Sequence, residues 1–524
     1  MNQTASPPVA VTPRITWWKL GAVVAAAFLL YLCFPPADLG PLAWVALVPF
    51  FFALSQVRPA GGALLGLLFG VCFIGAYASY MLTYGAVGWV AIILFQGLFF
   101  ALAGAAGAAC NRCPDPMLRA LGAASAWTLA EVLRGSIGGL GFTVGDLGYT
   151  QHDLLPLLQT ASVVGHYGLG FIIALLNAAL AQAALSVAPG VFLRPAGDPR
   201  AFAQRAARSV VAIYVALFLI YAWGALVLRA DGIEGAAAFS VAALQGSVEV
   251  GDRVTPDDVQ RSLATYLSLS QTIPKDVQLI VWPETALPVA LNVGPSLKAQ
   301  IADLAADKDA YLLVGGAESG ESGETFNTLY LISPRGEDLD LYRKVILVPF
   351  GEYVPQRERF PFLKKFAVRK FDFSPGEQHK LLSVGGLRVG PLICFEALFP
   401  YAVRNLTRMG AQVIILATSD EWAAHTSEVA QHSYTAPLRA VESRRYVVRA
   451  ATWGISAIIS PYGRIIAEVP LFQPGVAWAD VHPREQLSTY HRIGDMPLIL
   501  LCAVLWLGAV LIPRQAVVPA RKED

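Results

Sequence analysis

Three short stretches of this chain carry side chains that could do covalent chemistry together. Trp282-Pro283-Glu284 follows the apolar run Leu279-Ile280-Val281 and offers a carboxylate. Tyr342-Arg343-Lys344 offers an amine, and Gly390-Pro391-Leu392-Ile393-Cys394-Phe395-Glu396 ends a β-forming run on a thiol. A thiol attacks only as its thiolate, and free cysteine is mostly protonated at neutral pH. A carboxylate raised by partial burial could take that proton. An ammonium beside it could hold the thiolate and then the oxyanion of a tetrahedral intermediate. Taken singly, each residue has an ordinary explanation. Glu284 and Lys344 would be solvated loop charges, and Cys394 a small buried hydrophobe.

Elements that deliver such residues at their ends are visible around them. Strand-like runs fall at 239–244, 278–282, 311–314, 328–332, 389–394, 412–417, 446–450 and 455–460. Thr255-Pro256-Asp257-Asp258 starts a helix, with Thr as N-cap, Pro in the first turn and acids toward the positive end of the dipole. A further helix is expected over 427–445, kinked at Pro437. Together these predict an α/β domain over 231–495, long enough to bury its own core.

The rest of the chain is apolar. Of 524 residues 55% are hydrophobic and 15% charged, against roughly 25% charged in soluble proteins, and the mean hydropathy is +0.52. Hydrophobic segments near 20–34, 42–55, 62–82, 86–107, 120–133, 157–187, 210–228 and 497–512 predict about eight membrane spans. Their Gly and Ala content suits close helix approach in lipid. Arg58, Arg112, Arg119, Arg194, Arg200, Arg205, Arg208, Arg514, Arg521 and Lys522 follow alternate segments. That pattern puts both termini in the cytoplasm and the α/β insert on the far side.

The expected division is therefore a disordered cytoplasmic terminus over 1–16, about seven helices over 17–230, the insert, a last helix over 496–513 and a cytoplasmic tail over 514–524. Leu30-Tyr31-Leu32-Cys33 is too bulky for signal cleavage, so the first segment reads as retained rather than as a leader ahead of a lipidated Cys33. A net charge of +1 gives no case for nucleic acid. The six cysteines show no disulfide framework, and Cys110 and Cys113 form a C-x-x-C without a second pair. Glu131 and Arg134 would be the intramembrane charges of a transporter, but at helix spacing they are expected to pair with each other or cap their segment.

The Glu, Lys and Cys contexts resemble the nitrilase superfamily. Placed between membrane spans, the insert resembles the apolipoprotein N-acyltransferase family. Phe34-Pro35-Pro36, Leu42-Ala43-Trp44, Trp282-Pro283-Glu284-Thr285-Ala286-Leu287-Pro288 and Leu347-Val348-Pro349-Phe350-Gly351-Glu352-Tyr353-Val354-Pro355 carry this closer likeness. The resemblance implies an αββα sandwich inserted in a polytopic helical membrane bundle in a bacterial inner membrane, with the sandwich in the periplasm. It implies transfer of an acyl chain from a phospholipid to the N-terminal amine of a diacylglyceryl apolipoprotein, by a ping-pong route through a thioester and with no cofactor or metal. Glu284 would be the base, Lys344 the oxyanion holder and Cys394 the nucleophile. Glu352, Tyr353, Glu396 and Trp422 would support the site or bind substrate.

The chain departs from the family pattern in three places. Ser419-Asp420-Glu421-Trp422-Ala423 stands where Asn-Asp-x-Trp-Phe is common, Gly141-Phe142-Thr143-Val144 where Gly-Phe-Pro-Trp is usual, and Trp453-Gly454 where Asn-Gly is usual. The same triad would serve a membrane-tethered amidase that hydrolyses its acyl-enzyme. A papain-like pairing of Cys394 with His425 or His432 is disfavoured by the ordered Glu and Lys motifs, and His432 reads as a polar position on the 427–445 helix. Residues 359–373 alternate phenylalanines with basic residues. They read either as a packed element with a basic outer face or as an arm in which Phe362, Phe366 and Phe371 touch lipid and admit the donor.

Overall fold

The computed structural model describes residues 15–187, 198–231, 237–249, 254–366, 372–423 and 426–512. The insert contains thirteen strands among these residues. In chain order they are β1 (Phe239–Gln245), β2 (Leu279–Val281), β3 (Leu287–Ala290), β4 (Tyr311–Ser319), β5 (Thr325–Ile332), β6 (Asp338–Arg343), β7 (Leu382–Val384), β8 (Leu387–Ile393), β9 (Val413–Thr418), β10 (Tyr446–Ala451), β11 (Ser456–Ile459), β12 (Ile465–Val469) and β13 (Gly475–Val481). One sheet runs β13-β1-β2-β4-β5-β6 with β3 paired to β4, and the other runs β12-β11-β10-β9-β8-β7. The central pairs β1–β2, β2–β4, β8–β9 and β9–β10 are parallel.

The central strands are apolar on both faces because each face is covered. In β9, Val413, Ile415 and Ala417 enter a core shared with Val241, Leu279, Leu313 and Leu329 of the opposite sheet. Ile414 and Leu416 face the other way, into a cluster with Leu406, Leu438 and Val441 that continues into Phe50, Phe69 and Trp127 of the apolar helices. On the far side, Leu263, Ile301 and Leu304 of helices Pro256–Gln271 and Pro295–Lys308 cover Ala242, Ile280 and Leu312. The layers are helix, sheet, sheet, helix. The helix layer built from Pro400–Arg408 and Thr435–Ser443 lies between the sandwich and the membrane base.

All eight strand-like runs fall on strands, although β8 stops at Ile393, one residue short of Cys394. The strands not anticipated are short or have exposed, polar-alternating positions, such as Asp338-Leu339-Asp340-Leu341 in β6. The helix expected over 427–445 is two helices, Glu428–Ser433 and Thr435–Ser443. The break falls at Tyr434, and Pro437 sits in the first turn of the second helix, where a missing N–H does no harm.

Four helices among the described residues are long and apolar enough to cross a membrane: Pro59–Tyr77, Ala86–Arg112, Ala161–Val187 and Pro199–Val227. Trp17–Tyr31, Gly40–Ala53 and Met496–Leu511 are apolar but shorter. The segment near 42–55 is broken into a 3-10 turn and two short helices. Helix Pro116–Gly135 is polar inside, burying Arg119, Glu131 and Arg134. Close helix approach is visible at Gly66, where a Cβ would lie 2.0 Å from the Phe100 carbonyl oxygen.

Glu131 and Arg134 do not pair as expected. Arg134 is ion-paired to Asp146, while Glu131 Oε1 accepts from Trp127 Nε1 at 2.9 Å and from the Leu147 N–H at 3.0 Å. The sequence separation of 12 between Arg134 and Asp146 hid this partner from helix-spacing arguments. The network continues into the α/β domain. His166 contacts Asp146 at 3.3 Å and Glu442 at 3.2 Å, and Arg439 reaches both Glu442 at 2.5 Å and the Tyr149 hydroxyl at 2.6 Å. Thr143 donates to the Leu398 carbonyl at 2.8 Å, which ties the base to the turn that follows Cys394.

Candidate active site

The strand-to-turn transition at Cys394 is the first element of the site. Cys394 has φ 51°, a left-handed value that costs an L-residue about 1–2 kcal/mol. That conformation ends β8 and opens the 3-10 turn Cys394–Leu398. Glu396 secures the turn. Its Oε2 accepts the Ile393 N–H at 2.7 Å, and its Oε1 accepts the N–H groups of Val345 at 2.8 Å and Ile346 at 3.1 Å. The Tyr342 hydroxyl donates to both oxygens at 3.0 Å. One buried carboxylate therefore pins the backbone just after Lys344 to the backbone just before Cys394. Burial pushes the Glu396 carboxyl up to about 7, opposed by those N–H donors and by the Lys344 charge.

Glu284 arrives on the loop after β2, whose apolar run is anchored by Trp282. The indole donates to Ser270 Oγ at 3.1 Å and stacks on Tyr266. The loop passes directly over β4, where a Cβ on Gly315 would lie 2.0 Å from the Pro283 carbonyl oxygen. Lys344 follows β6 and is 1% exposed. Its Nζ donates to Glu284 Oε1 at 3.1 Å and to Glu352 Oε1 at 2.9 Å. Asn327 Nδ2 donates to the same two oxygens at 2.7 and 3.0 Å. Glu352 Oε2 accepts the Val348 N–H at 2.8 Å, so the loop that carries it closes on itself.

The electrostatics follow from this packing. Burial alone would lower the Lys344 ammonium, but Glu284 and Glu352, with Cys394, hold it above its ordinary range, so it stays charged. Burial pushes the Cys394 thiol well up, the Glu284 and Asp420 charges push it further, and Lys344 with a Thr418 hydrogen bond offsets part of this. The resting state is a protonated thiol beside a carboxylate and a fixed ammonium. Such a set can create a thiolate when a substrate arrives and can hold an oxyanion.

The other expected residues are placed less uniformly. Tyr353 is half-buried and acts through its carbonyl, which accepts the Phe350 N–H at 2.7 Å. Trp422 lies in the 3-10 turn Glu421–Ala423, and its side chain is outside the described residues. Phe362 is 59% exposed on the 3-10 turn Pro361–Phe366, while the Phe366 side chain and Phe371 lie outside the described residues, as does His425. His432 is buried and its Nδ1 contacts Asp420 Oδ1 at 3.0 Å.

Asn327, Thr418 and the Asp420–Arg449 pair at 2.8 Å escaped the sequence reading. Each is a polar residue in or just after a largely apolar strand, and their one signal is that a strand buried on both faces leaves no solvent for them. Asp38, His152 and Asp153 bring metal-ligand types within 4.8 Å of one another. His152 already bonds both carboxylates and stacks on Tyr434, which makes the group an ion-pair cluster.

Comparison with known proteins gives two family matches. The model described as carbon-nitrogen hydrolase matches residues 240–489, and that of the apolipoprotein N-acyltransferase N-terminal domain matches residues 26–179. An apolipoprotein N-acyltransferase of Geobacter metallireducens is 34% identical over 501 residues, covering 90% of this chain and 91% of the relative. One from Pseudomonas putida is 31% identical over 516 residues, covering 95% and 97%. Among solved structures, an amidase from Nesterenkonia sp. aligns with 51% of this chain and 97% of its own at 22% identity and a TM-score of 0.37.

Proposed function

The chain belongs to the apolipoprotein N-acyltransferase family, and from that premise we propose that Cys394 carries the acyl group as a thioester, with Glu284 as base and Lys344 as oxyanion holder. The protein is an acyltransferase with a carbon-nitrogen hydrolase domain and apolar helices that fit a membrane protein. Phospholipid is the acyl donor in this reading, and the N-terminal amine of a diacylglyceryl apolipoprotein is the acceptor. The observation that carries it is the buried Lys344, 3.1 Å from Glu284 and 2.9 Å from Glu352, in a domain whose lower helix layer packs on apolar helices.

Glu284 takes the Cys394 proton as the thiolate attacks the ester carbonyl of the donor. Lys344 neutralises the oxyanion, the C–O bond breaks, and the lysophospholipid leaves with the proton from Glu284. The amine then attacks the thioester, the C–S bond breaks and the thiol is restored. Enclosure of the thiol, 5% exposed, limits hydrolysis of the intermediate. The alternation of Arg and Lys along the chain supports about eight segments entering the membrane, cytoplasmic termini and a periplasmic domain over 231–495.

Transfer of labelled acyl chain from phospholipid to a diacylglyceryl peptide tests the roles. Cys394→Ala should lower it by on the order of 10³-fold or more, and Lys344→Ala by roughly 10²–10³-fold. Near-normal transfer by Lys344→Ala would remove its role.

A further inference from the structure

Helix Glu428–Ser433 places three buried hydrogen-bond acceptors without partners on one face. They are Glu428 Oε2, Gln431 Oε1 and His432 Nε2, unpaired among the described residues. The spacing i, i+3, i+4 sets them side by side, and their residues are 8%, 4% and 5% exposed. Unpaired buried acceptors are expensive, and here three belong to residues on one face of a single helix.

Neighbouring bonds fix what each atom can do. The Gln431 amide N–H₂ is committed to the Pro35 and Tyr77 carbonyls at 3.3 and 3.4 Å and to Ser427 Oγ at 3.2 Å, which leaves its carbonyl oxygen free. His432 Nδ1 faces Asp420 Oδ1 at 3.0 Å, and Asp420 is also held by Arg449 Nη2 at 2.8 Å. An ionised Asp420 only accepts, so Nδ1 carries a proton, and a ring with that single proton presents its lone pair at Nε2.

The face is connected to the thiol. Thr418 donates to Asp420 Oδ1 at 3.2 Å, and the same side chain offsets part of the rise of the Cys394 thiol. It also borders the membrane base, through Gln431 to Pro35 and Tyr77 and through Tyr434 to Asp38 at 3.1 Å. The site lies at the seam between domain and base, where a lipid-anchored amine would approach.

We propose that Glu428, Gln431 and His432 form the seat of the acceptor's primary ammonium, and that His432 Nε2 takes one of its protons, which frees the nitrogen lone pair to attack the acyl-enzyme. Three N–H donors of an ammonium match three acceptors, two of them neutral and one a carboxyl. Burial and the Asp420 charge push the Glu428 carboxyl up, with Arg449 opposing, so the arriving ammonium displaces the carboxyl proton to bulk water. The nitrogen loses two protons in all. One goes to His432, where Asp420 stabilises the imidazolium, and one returns to the Cys394 sulfur through Glu284 as the C–S bond breaks. Glu428 and Gln431 orient the nitrogen without changing its bonds.

This rests on the acyl-enzyme reading above, so the test separates the two half-reactions. Purified full-length protein is incubated with phospholipid alone, and acylation of Cys394 is read by intact mass. A diacylglyceryl-cysteine peptide or neutral hydroxylamine is then added and discharge is followed. Glu428→Gln and His432→Gln should acylate as the parent does and discharge normally to hydroxylamine. Glu428→Gln should raise the peptide KM about tenfold, and His432→Gln should lower the transfer kcat by roughly 10²-fold. Unchanged transfer to the peptide, or an equal loss in acylation and transfer, would overturn the proposal. No acylation in the parent protein would instead remove the acyl-enzyme reading itself.

Discussion

Glu284 grips Ser419 by its backbone: the carboxylate Oε2 accepts the Ser419 N–H at 2.6 Å, while Oε1 faces Lys344. The departure from Asn to Ser at this position therefore leaves the Glu284 contact intact, because no side-chain atom of residue 419 takes part in it. Ser419→Asn and Ser419→Ala should retain acylation of Cys394 within about twofold, since surface-like changes that spare a hydrogen bond have small effects. Ser419→Pro removes the donor and should cut acylation by at least about tenfold, a charge-linked hydrogen bond contributing roughly 1.5–3 kcal/mol. Rates of acyl-enzyme formation for the three variants check this.

The buried network of Arg439, Glu442, His166 and Asp146 joins the domain to the base. Glu442→Ala strands the Arg439 guanidinium and the imidazole of His166 in a site that is fully enclosed. Loss of about 3–5 kcal/mol is expected, as for other broken buried pairs. Thermal unfolding in detergent or nanodiscs should show a large drop for Glu442→Ala, whereas Glu485→Ala, at an exposed ion pair with Arg388, should change little.

Phe362 stands in the open, and Phe360 beside it is also exposed, on a turn between the Glu352 loop and β7. That placement suits contact with lipid better than a role in the core. Phe362→Ser should weaken use of phospholipid in vesicles several-fold and leave turnover of a short soluble thioester nearly unchanged, because only the former needs rings in the interface. Initial rates on the two donors, compared side by side, decide it; equal losses would return the turn to a packing role.

Much of this organisation was written in local sequence pattern. The Glu284, Lys344 and Cys394 contexts sit at the ends of β2, β6 and β8, and a residue at a strand end is legible because the apolar run stops there. The partners were not. Asn327 lies in the polar start of β5, Thr325-Phe326-Asn327-Thr328, and only its register against β4 and β6 brings it between Glu284 and Glu352. Arg134 has a plausible partner at helix spacing in Glu131, yet tertiary folding supplies Asp146 instead. Segment hydropathy located the apolar elements but not their breaks, so the stretch at 42–55 becomes two short helices.

If the acyl group passes through Cys394, the acyl-enzyme should be trapped when no acceptor is present. Intact-mass analysis of the purified protein after incubation with a phospholipid of defined chain should show one added acyl mass. Peptide mapping should place it on Cys394, and neutral hydroxylamine should release it. The adduct should disappear when a diacylglyceryl-cysteine peptide is added, with the acyl chain recovered on the peptide amine. Transfer to the peptide that proceeds with no adduct on Cys394, or at full rate in Cys394→Ala, would contradict the account.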